Sequence, residues 1–176
     1  MPSIQTDFLI IGGGIIGLAC ARELLSRNPG TRITIIEKED HVAEHGSGRN
    51  SGVLHAGFYY TADSLKAKFC RDGNAALTAY VKEHGLKFNP CGKVVVAKNE
   101  AEWRTIHELK KRGDVNGVAT RVVSERELAE IDPNARTFKE ALYSPNTSTV
   151  DPIEVTNHIA RDLQQRGVSI LLSHPY

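Results

Sequence analysis

A short unbroken apolar run, Phe8-Leu9-Ile10-Ile11, gives way at once to glycine. Such a run predicts a strand buried on both faces, as in a parallel sheet. From Ile15 the period changes. Ile16, Cys20 and Leu24 recur every fourth position, one face of a helix over 15–27 that Asn28-Pro29-Gly30 stops. Arg32 to Glu37 is a second β-rich run, so strand, helix and strand follow within about thirty residues, a βαβ unit.

Further on, residues 46–57 are rich in glycine, serine and asparagine and read as a loop or a series of tight turns. A helix is expected over about 64–84, with Leu65, Phe69, Leu77 and Tyr80 along it and Gly85 closing it. Val94-Val95-Val96 suggests a strand. Asn99 and Glu102 have capping-box spacing before a helix that Gly113 should end, and Ser124 and Glu127 repeat the spacing ahead of Leu128 and Ile131. Ala141-Leu142-Tyr143 is a candidate strand before a turn at 144–146. The last helix is the best punctuated: Asp151 at the N-cap, Pro152 at the first helical position, Val155, Ile159 and Leu163 toward the core, Gly167 after the end. Val168 to Leu172 reads as one more buried strand, an odd place for a complete doubly wound protein to stop.

The 176 residues carry 22 Lys+Arg against 21 Asp+Glu, a net charge of +1. Nothing there suggests an electrostatic grip on nucleic acid, and the basic run Lys110-Lys111-Arg112 reads as a helix C-terminus complementing its dipole. The three cysteines, 20, 70 and 91, form no CxxC pair and point to a reduced, cytoplasmic setting. Cys20 is expected in the core, and Cys70 and Cys91 as packed thiols. The apolar stretch 8–20 holds four glycines and is too short to span a bilayer; peripheral membrane contact stays open, and oligomeric state is not legible. His41 and His45 lie four apart without a third ligand, so no metal site is expected.

Gly12-Gly13-Gly14-Ile15-Ile16-Gly17 matches G-x-G-x-x-G. Gly12 permits the tight turn out of the strand, Gly14 lets a diphosphate approach the backbone, and Gly17 lets the helix lie close on the sheet. The helix N-terminus then offers free N–H groups and a favourable dipole to the phosphates. Alone the motif is weak evidence. Here it leaves an apolar strand, opens an amphipathic helix and is answered by Glu37 at the end of the next strand, placed to accept hydrogen bonds from a ribose and to disfavour a 2′-phosphate. The βαβ unit does not by itself separate NAD from FAD; the turn-rich segment after it, suited to lining a long extended cofactor, leans toward FAD.

The opening residues 8–17 resemble those of the D-amino-acid-oxidase-like FAD oxidoreductases. Asn50-Ser51-Gly52-Val53-Leu54-His55-Ala56-Gly57-Phe58-Tyr59-Tyr60, with Ser64-Leu65-Lys66-Ala67-Lys68-Phe69-Cys70, Gly73-Asn74 and Cys91-Gly92-Lys93, is similar to the L-2-hydroxyglutarate dehydrogenase/oxidase family. The resemblance covers essentially the whole chain, strongly to about Ala97, and such proteins run to roughly twice this length or more. Where they carry a small-residue Ser-Gly-Ile-type turn, this chain has 146–150, Asn-Thr-Ser-Thr-Val.

The resemblance implies that Gly12, Gly14, Gly17, Glu37 and Lys38 hold the ADP part of FAD, and that Asn50, Ser51 and Gly52 lie along the diphosphate and ribityl chain. Arg49 could neutralise phosphate charge or be an exposed arginine. His55 falls near the isoalloxazine ring, to orient it, to stabilise charge on its reduced form or to attach it covalently; a hydrogen-bonded core histidine is the alternative. Tyr59 and Tyr60 could wall the active site, or pack. Lys93 could meet a substrate carboxylate, or stand solvated on a strand.

The expected fold is α/β: a Rossmann-like FAD-binding domain, incomplete, from 1–85 plus 151–176, and the start of a mixed-sheet substrate domain at 86–150. The implied reaction oxidises a small 2-hydroxy acid, L-2-hydroxyglutarate, to the 2-oxo acid. An amino acid or glycerol 3-phosphate on the same fold is the rival substrate, and a truncated, non-catalytic FAD-binding fragment the rival of another kind.

Overall fold

A computed structural model describes residues 5–176. The elements run β1 (Phe8–Ile11), α1 (Ile15–Arg27), β2 (Ile33–Ile36), β3 (Val53–Leu54), α2 (Leu65–Glu83), β4 (Phe88–Asn89), β5 (Lys93–Val95), α3 (Glu100–Val115), β6 (Arg121–Ser124), α4 (Glu125–Ile131), β7 (Glu140–Ser144), β8 (Ser148–Val150), α5 (Pro152–Gln165) and β9 (Ser169–Leu171). The expected α/β class is what forms. The chain divides into two compact units, residues 1–52 with 151–176, and Val53–Val150.

In the first unit β1, β2 and β9 make a parallel sheet with β2 in the middle. Only β2 has the burial expected of such a strand: Ile33, Thr34 and Ile35 are all buried. β1, expected to be buried on both faces, is instead an edge strand whose Phe8, Leu9 and Ile11 are exposed. α1 has the predicted bounds but a different inward face. Leu18 and Ala21 are buried, whereas Ile16 and Cys20, assigned to the core by the four-residue spacing, face outward. The cause is Gly17, which sits hard against the β1–α1 turn and so rotates 17, 18 and 21 inward. α5 begins as predicted, with the Asp151 carboxylate accepting from the Ile153 and Glu154 N–H groups, and buries Val155, Ile159 and Leu163. Asp7 and Arg32 tie the starts of β1 and β2 together. The Arg32 main-chain N–H and side chain donate to both Asp7 carboxylate oxygens at 2.8–3.2 Å.

The second unit holds two antiparallel sheets, β3-β8-β4 and β5-β7-β6. β7 is the middle strand of the latter and separates two apolar clusters. Leu142 lies with Phe58, Ala97, Ile106, Leu109 and Val118; Ala141 lies with Val123 and Leu128. α2 starts with the Ser64 hydroxyl accepting from the Ala67 N–H, and buries Ala67, Tyr80 and Val81 rather than Leu65 and Phe69, which are exposed. α3 runs past Gly113 to Val115, because Gly117, with φ +66°, is the residue that supplies the left-handed turn. The Ser124–Glu127 capping box forms at α4 with both reciprocal hydrogen bonds. The segment 146–150 is not all turn: Ser148–Val150 is the central strand β8, pairing with β3 and β4. Residues 53–85 pack with 86–150 in this unit.

Candidate functional site

The glycine loop owes its shape to close approaches that side chains would forbid. Gly12 leaves β1 with φ +106°, a conformation β-branched or bulky residues avoid. A Cβ on Gly17 would lie 2.2 Å from the Gly12 carbonyl oxygen, well inside contact distance. Gly14 is the N-cap of α1 and offers no side chain to the first turn; a Cβ there would reach 3.0 Å from the Ser47 hydroxyl oxygen.

Two side chains brace the loop. Glu37, directly after β2, accepts the Gly13 N–H on Oε2 at 2.7 Å and the Glu39 N–H on Oε1 at 3.1 Å. The Ser47 hydroxyl accepts the Ile15 N–H at 2.9 Å, satisfying one of the orphan donors of the first turn of α1. Sequence reasoning found Glu37 but neither Gly13 nor Ser47. The signal for Ser47 was present only as one serine in a glycine-rich stretch.

An open cleft of about 630 Å³ runs along these elements. Its lining combines Gly12, Gly14, Ser47 and Asn50 with the apolar Ile10, Ile11, Ile16 and Cys20. A helix N-terminus stripped of side chains, with the Glu37 carboxylate bonded to the same loop, suits a diphosphate and a vicinal diol. The loop residues predicted to line a cofactor are here bonded to their own segment. The Asn50 amide donates to the Gly46 and Ser47 carbonyls at 3.0 Å each and accepts the Gly52 N–H at 2.9 Å. Gly52 takes φ +65° and Ser51 is exposed. The exposed Arg49 is ion-paired with the half-buried Glu44, and the exposed Lys38 with the half-buried Glu39 at 3.0 Å. Among the predicted residues of the first unit, Gly12, Gly14, Gly17, Glu37 and Asn50 therefore come together, while Lys38 and Arg49 turn to surface ion pairs.

His55, Tyr59 and Lys93 belong to the second unit. His55 follows β3 directly and is exposed, so it is not a core histidine. Its pKa is held below the usual imidazole value by partial desolvation and, secondarily, by the positive charge of Lys93. The Lys93 ammonium sits 4.7 Å from the Tyr59 ring centroid, and the Tyr59 ring stacks on Phe58 with centroids 4.3 Å apart. The cluster thus joins an imidazole of lowered pKa, a cation and an aromatic ring. Lys93 is set by the turn before it: Gly92, with φ +68°, passes so close to the Tyr143 ring that a Cβ would fall 2.7 Å from it. Tyr60 has a packing role. Its hydroxyl pKa is raised chiefly by a hydrogen bond with Cys70, and the Lys66 ammonium lies over its ring, 4.5 Å from the centroid. No helix among the described residues is long and apolar enough to cross a membrane.

A family model described as FAD dependent oxidoreductase matches residues 7–175. The chain is 42% identical over 165 residues to an L-2-hydroxyglutarate dehydrogenase of Escherichia coli O17:K52:H18, covering 94% of this chain and 39% of that protein. It is 40% identical over 166 residues to the mitochondrial L-2-hydroxyglutarate dehydrogenase of Homo sapiens, covering 94% and 36%. Among solved structures, the dithionite-reduced L-α-glycerophosphate oxidase from Mycoplasma pneumoniae with FAD bound superposes with a TM-score of 0.87 at 28% identity, over 97% of this chain and 45% of that one. The L-proline dehydrogenase from P. horikoshii, at 23% identity and TM-score 0.85, shares the fold. The chain thus spans well under half the length of the relatives it matches.

Proposed function

The chain belongs to the FAD dependent oxidoreductase family, and we propose on that premise that it is the FAD-binding front part of an enzyme oxidising a 2-hydroxy acid, L-2-hydroxyglutarate, to the 2-oxo acid. The observation that carries the cofactor half of this reading is the glycine cradle at α1 with Glu37 behind it, which a Cβ at Gly17 would close. Gly12 and Gly14 with the first N–H groups of α1 hold the diphosphate, and Glu37 holds the adenosine ribose. Ser47 fixes the loop that flanks them, and Asn50, Ser51 and Gly52 continue along the cofactor chain. Lys38 and Arg49 serve only if their ion pairs with Glu39 and Glu44 open. FAD, when bound, supplies the acceptor for the hydride leaving substrate C2.

In the second unit His55, neutral at pH 7 because its pKa is lowered, takes the substrate hydroxyl proton. Lys93 meets a substrate carboxylate, and the Tyr59 ring walls the pocket. Residues 1–85 with 151–176 then form the incomplete FAD-binding domain, and 86–150 opens the substrate domain. The names of the relatives at about 40% identity support L-2-hydroxyglutarate as substrate, and the free thiols suit a reducing, intracellular setting.

The test is anaerobic reduction of the flavin in the full-length protein. Bleaching by L-2-hydroxyglutarate and not by glycerol 3-phosphate, proline or glycine is the expected result. Bleaching by glycerol 3-phosphate alone would replace the substrate and keep the cofactor site; protein that takes up no FAD would remove both.

A further inference from the structure

In the middle of the 19-residue helix α2 stands Gly73-Asn74. Both are poor helix formers, and an asparagine inside a helix competes with it through its own amide. Here that amide is bonded outside the helix. Asn74 Nδ2 donates to the Leu54 carbonyl at 3.0 Å and to the Asn146 carbonyl at 3.2 Å. An NH2 group has two hydrogens, so each is committed to the main chain of a different segment. Each segment leads to a residue of the candidate site. Leu54 ends β3, and His55 comes next. β3 is two residues long, so its ladder to β8 gives His55 little support. Asn146 belongs to the turn 144–147, which is braced by a hydrogen bond between the buried Ser144 and Thr147 hydroxyls at 3.2 Å. The Thr147 carbonyl accepts the Gly92 N–H at 2.9 Å, and Ser144 stands opposite Lys93 in the pairing of β5 with β7. The turn therefore holds Lys93 twice, through Gly92 and through the ladder. All of these residues lie in the unit 53–150. Among the described residues, the charge acting on the His55 imidazole is that of Lys93, second to partial desolvation.

We propose that Asn74 is a positioning residue, whose amide clamps Leu54 to Asn146 and so sets the spacing between the His55 imidazole and the Lys93 ammonium. For its catalytic consequence this rests on His55 as base and Lys93 as carboxylate partner; the clamp itself rests on the bonds alone. Asparagine suits the task because it offers two donors on a short stem. Ionised aspartate would offer none and serine one. The stem stands on a long helix held in the core by Ala67, Tyr80 and Val81, so two short segments are referred to one rigid element. Asn116 shows the contrast. Its Nδ2 also donates to two carbonyls, those of Gly57 and Tyr60 at 3.2 and 3.1 Å, but both lie in one stretch of chain. Asn116 shapes a loop, whereas Asn74 couples two segments that the sequence keeps far apart.

A double-mutant cycle in the full-length, FAD-loaded protein tests this, read by NMR titration of isotope-labelled histidines and by the pH profile of turnover. Asn74→Ala is expected to raise the His55 pKa, because Lys93 leaves its place and its charge acts less on the imidazole. The acid limb of turnover follows to higher pH, and kcat/KM falls by about tenfold to a hundredfold. In a Lys93→Met background the same substitution should leave the His55 pKa where Lys93→Met alone puts it. Asn74→Leu, close to asparagine in size and a better helix former, carries the same test where Asn74→Ala does not fold. In the wild-type protein the Asn74 side-chain NH2 should exchange slowly with solvent. A melting temperature that falls while the His55 pKa stays in place is the mark of a purely structural bond and would overturn the proposal. So would an equal His55 shift with and without Lys93, or a fast-exchanging Asn74 NH2. Wild-type turnover in His55→Gln would remove the base, and with it the catalytic part of the inference; the His55 titration would still accept or reject the clamp.

Discussion

In the unit formed by residues 1–52 and 151–176 the candidate site is made of backbone. Its parts are N–H groups, left-handed or side-chain-free glycines, and two side chains, Glu37 and Ser47, whose visible bonds are to that backbone. In the unit 53–150 the candidate site is made of side chains. His55, Tyr59 and Lys93 are related by ring contact and charge, with no hydrogen bond among them in the bonds described. A backbone site is rigid, general for a diphosphate, and intolerant of a single added methyl. A side-chain site can exchange one chemistry for another while the strands beneath it stay the same. Such a division suits a fold that this chain shares with proteins named as a glycerophosphate oxidase and as L-2-hydroxyglutarate dehydrogenases.

The sharpest way to break the contrast is Gly17→Ala. The new methyl would fall 2.2 Å from the Gly12 carbonyl oxygen, which cannot retreat without opening the β1–α1 turn. Overpacking of this kind costs about 1–3 kcal/mol, against less than about 1 kcal/mol gained from alanine's helix propensity. A lower melting temperature and loss of flavin uptake are expected; wild-type flavin affinity would show that the cradle is not the site. Next in size is His55→Gln in the full-length enzyme. If His55 is the proposed general base, its loss lowers turnover by about 10²–10⁴-fold, with FAD affinity unchanged because the proposed diphosphate cradle lies in the other unit. Since Lys93 contributes to the depressed pKa of His55, Lys93→Met should move the acid limb of the turnover profile to higher pH as well as raising KM. A limb that stays in place would leave His55 out of the proton transfer. Glu37→Gln is milder: a hydrogen bond to a charged group is worth about 1.5–3 kcal/mol, so FAD affinity should fall roughly ten- to a hundredfold while turnover at saturating FAD holds.

The same contrast decides what the chain disclosed before folding. The glycine cradle was legible because backbone geometry is written as fixed spacings: 12, 14 and 17 on the loop and Glu37 one strand later. The inward face of α1 was not legible. Helical spacings of three or four fit Leu18 and Ala21 as well as Ile16, Cys20 and Leu24, and the choice is made by Gly17 against the Gly12 carbonyl, a tertiary contact. The strands β3 and β4 are two residues each and β6 four, too short for a period to show, and they exist because β7 and β8 pair with them. The nearness of Lys93 to His55 spans 38 positions and no local rule encodes it. Resemblance supplied those two residues, and the fold shows why they interact.

The smallest prediction separates the two units by acid titration. Asp7, whose carboxylate takes hydrogen bonds from Arg32, has its pKa lowered from 3.8 to about 2. Between those values the unfolded chain binds the extra proton, so the stability contributed by the Asp7–Arg32 link is fully present above pH 4 and is lost as the pH falls toward 2. His55 also has a lowered folded pKa, from 6.5, so its contribution is lost as pH falls below that value, a higher and separate window in the other unit. Asp7→Asn should therefore flatten the urea midpoint against pH only in the lower window, and His55→Gln only in the upper. Asp7 lies at the surface and its pair is screened, so the lower step should shrink in 1 M salt, where the Debye length is about 3 Å. A lower step that persists in Asp7→Asn would assign it to other carboxylates with lowered pKa values, Glu44 and Glu39 in the same unit first.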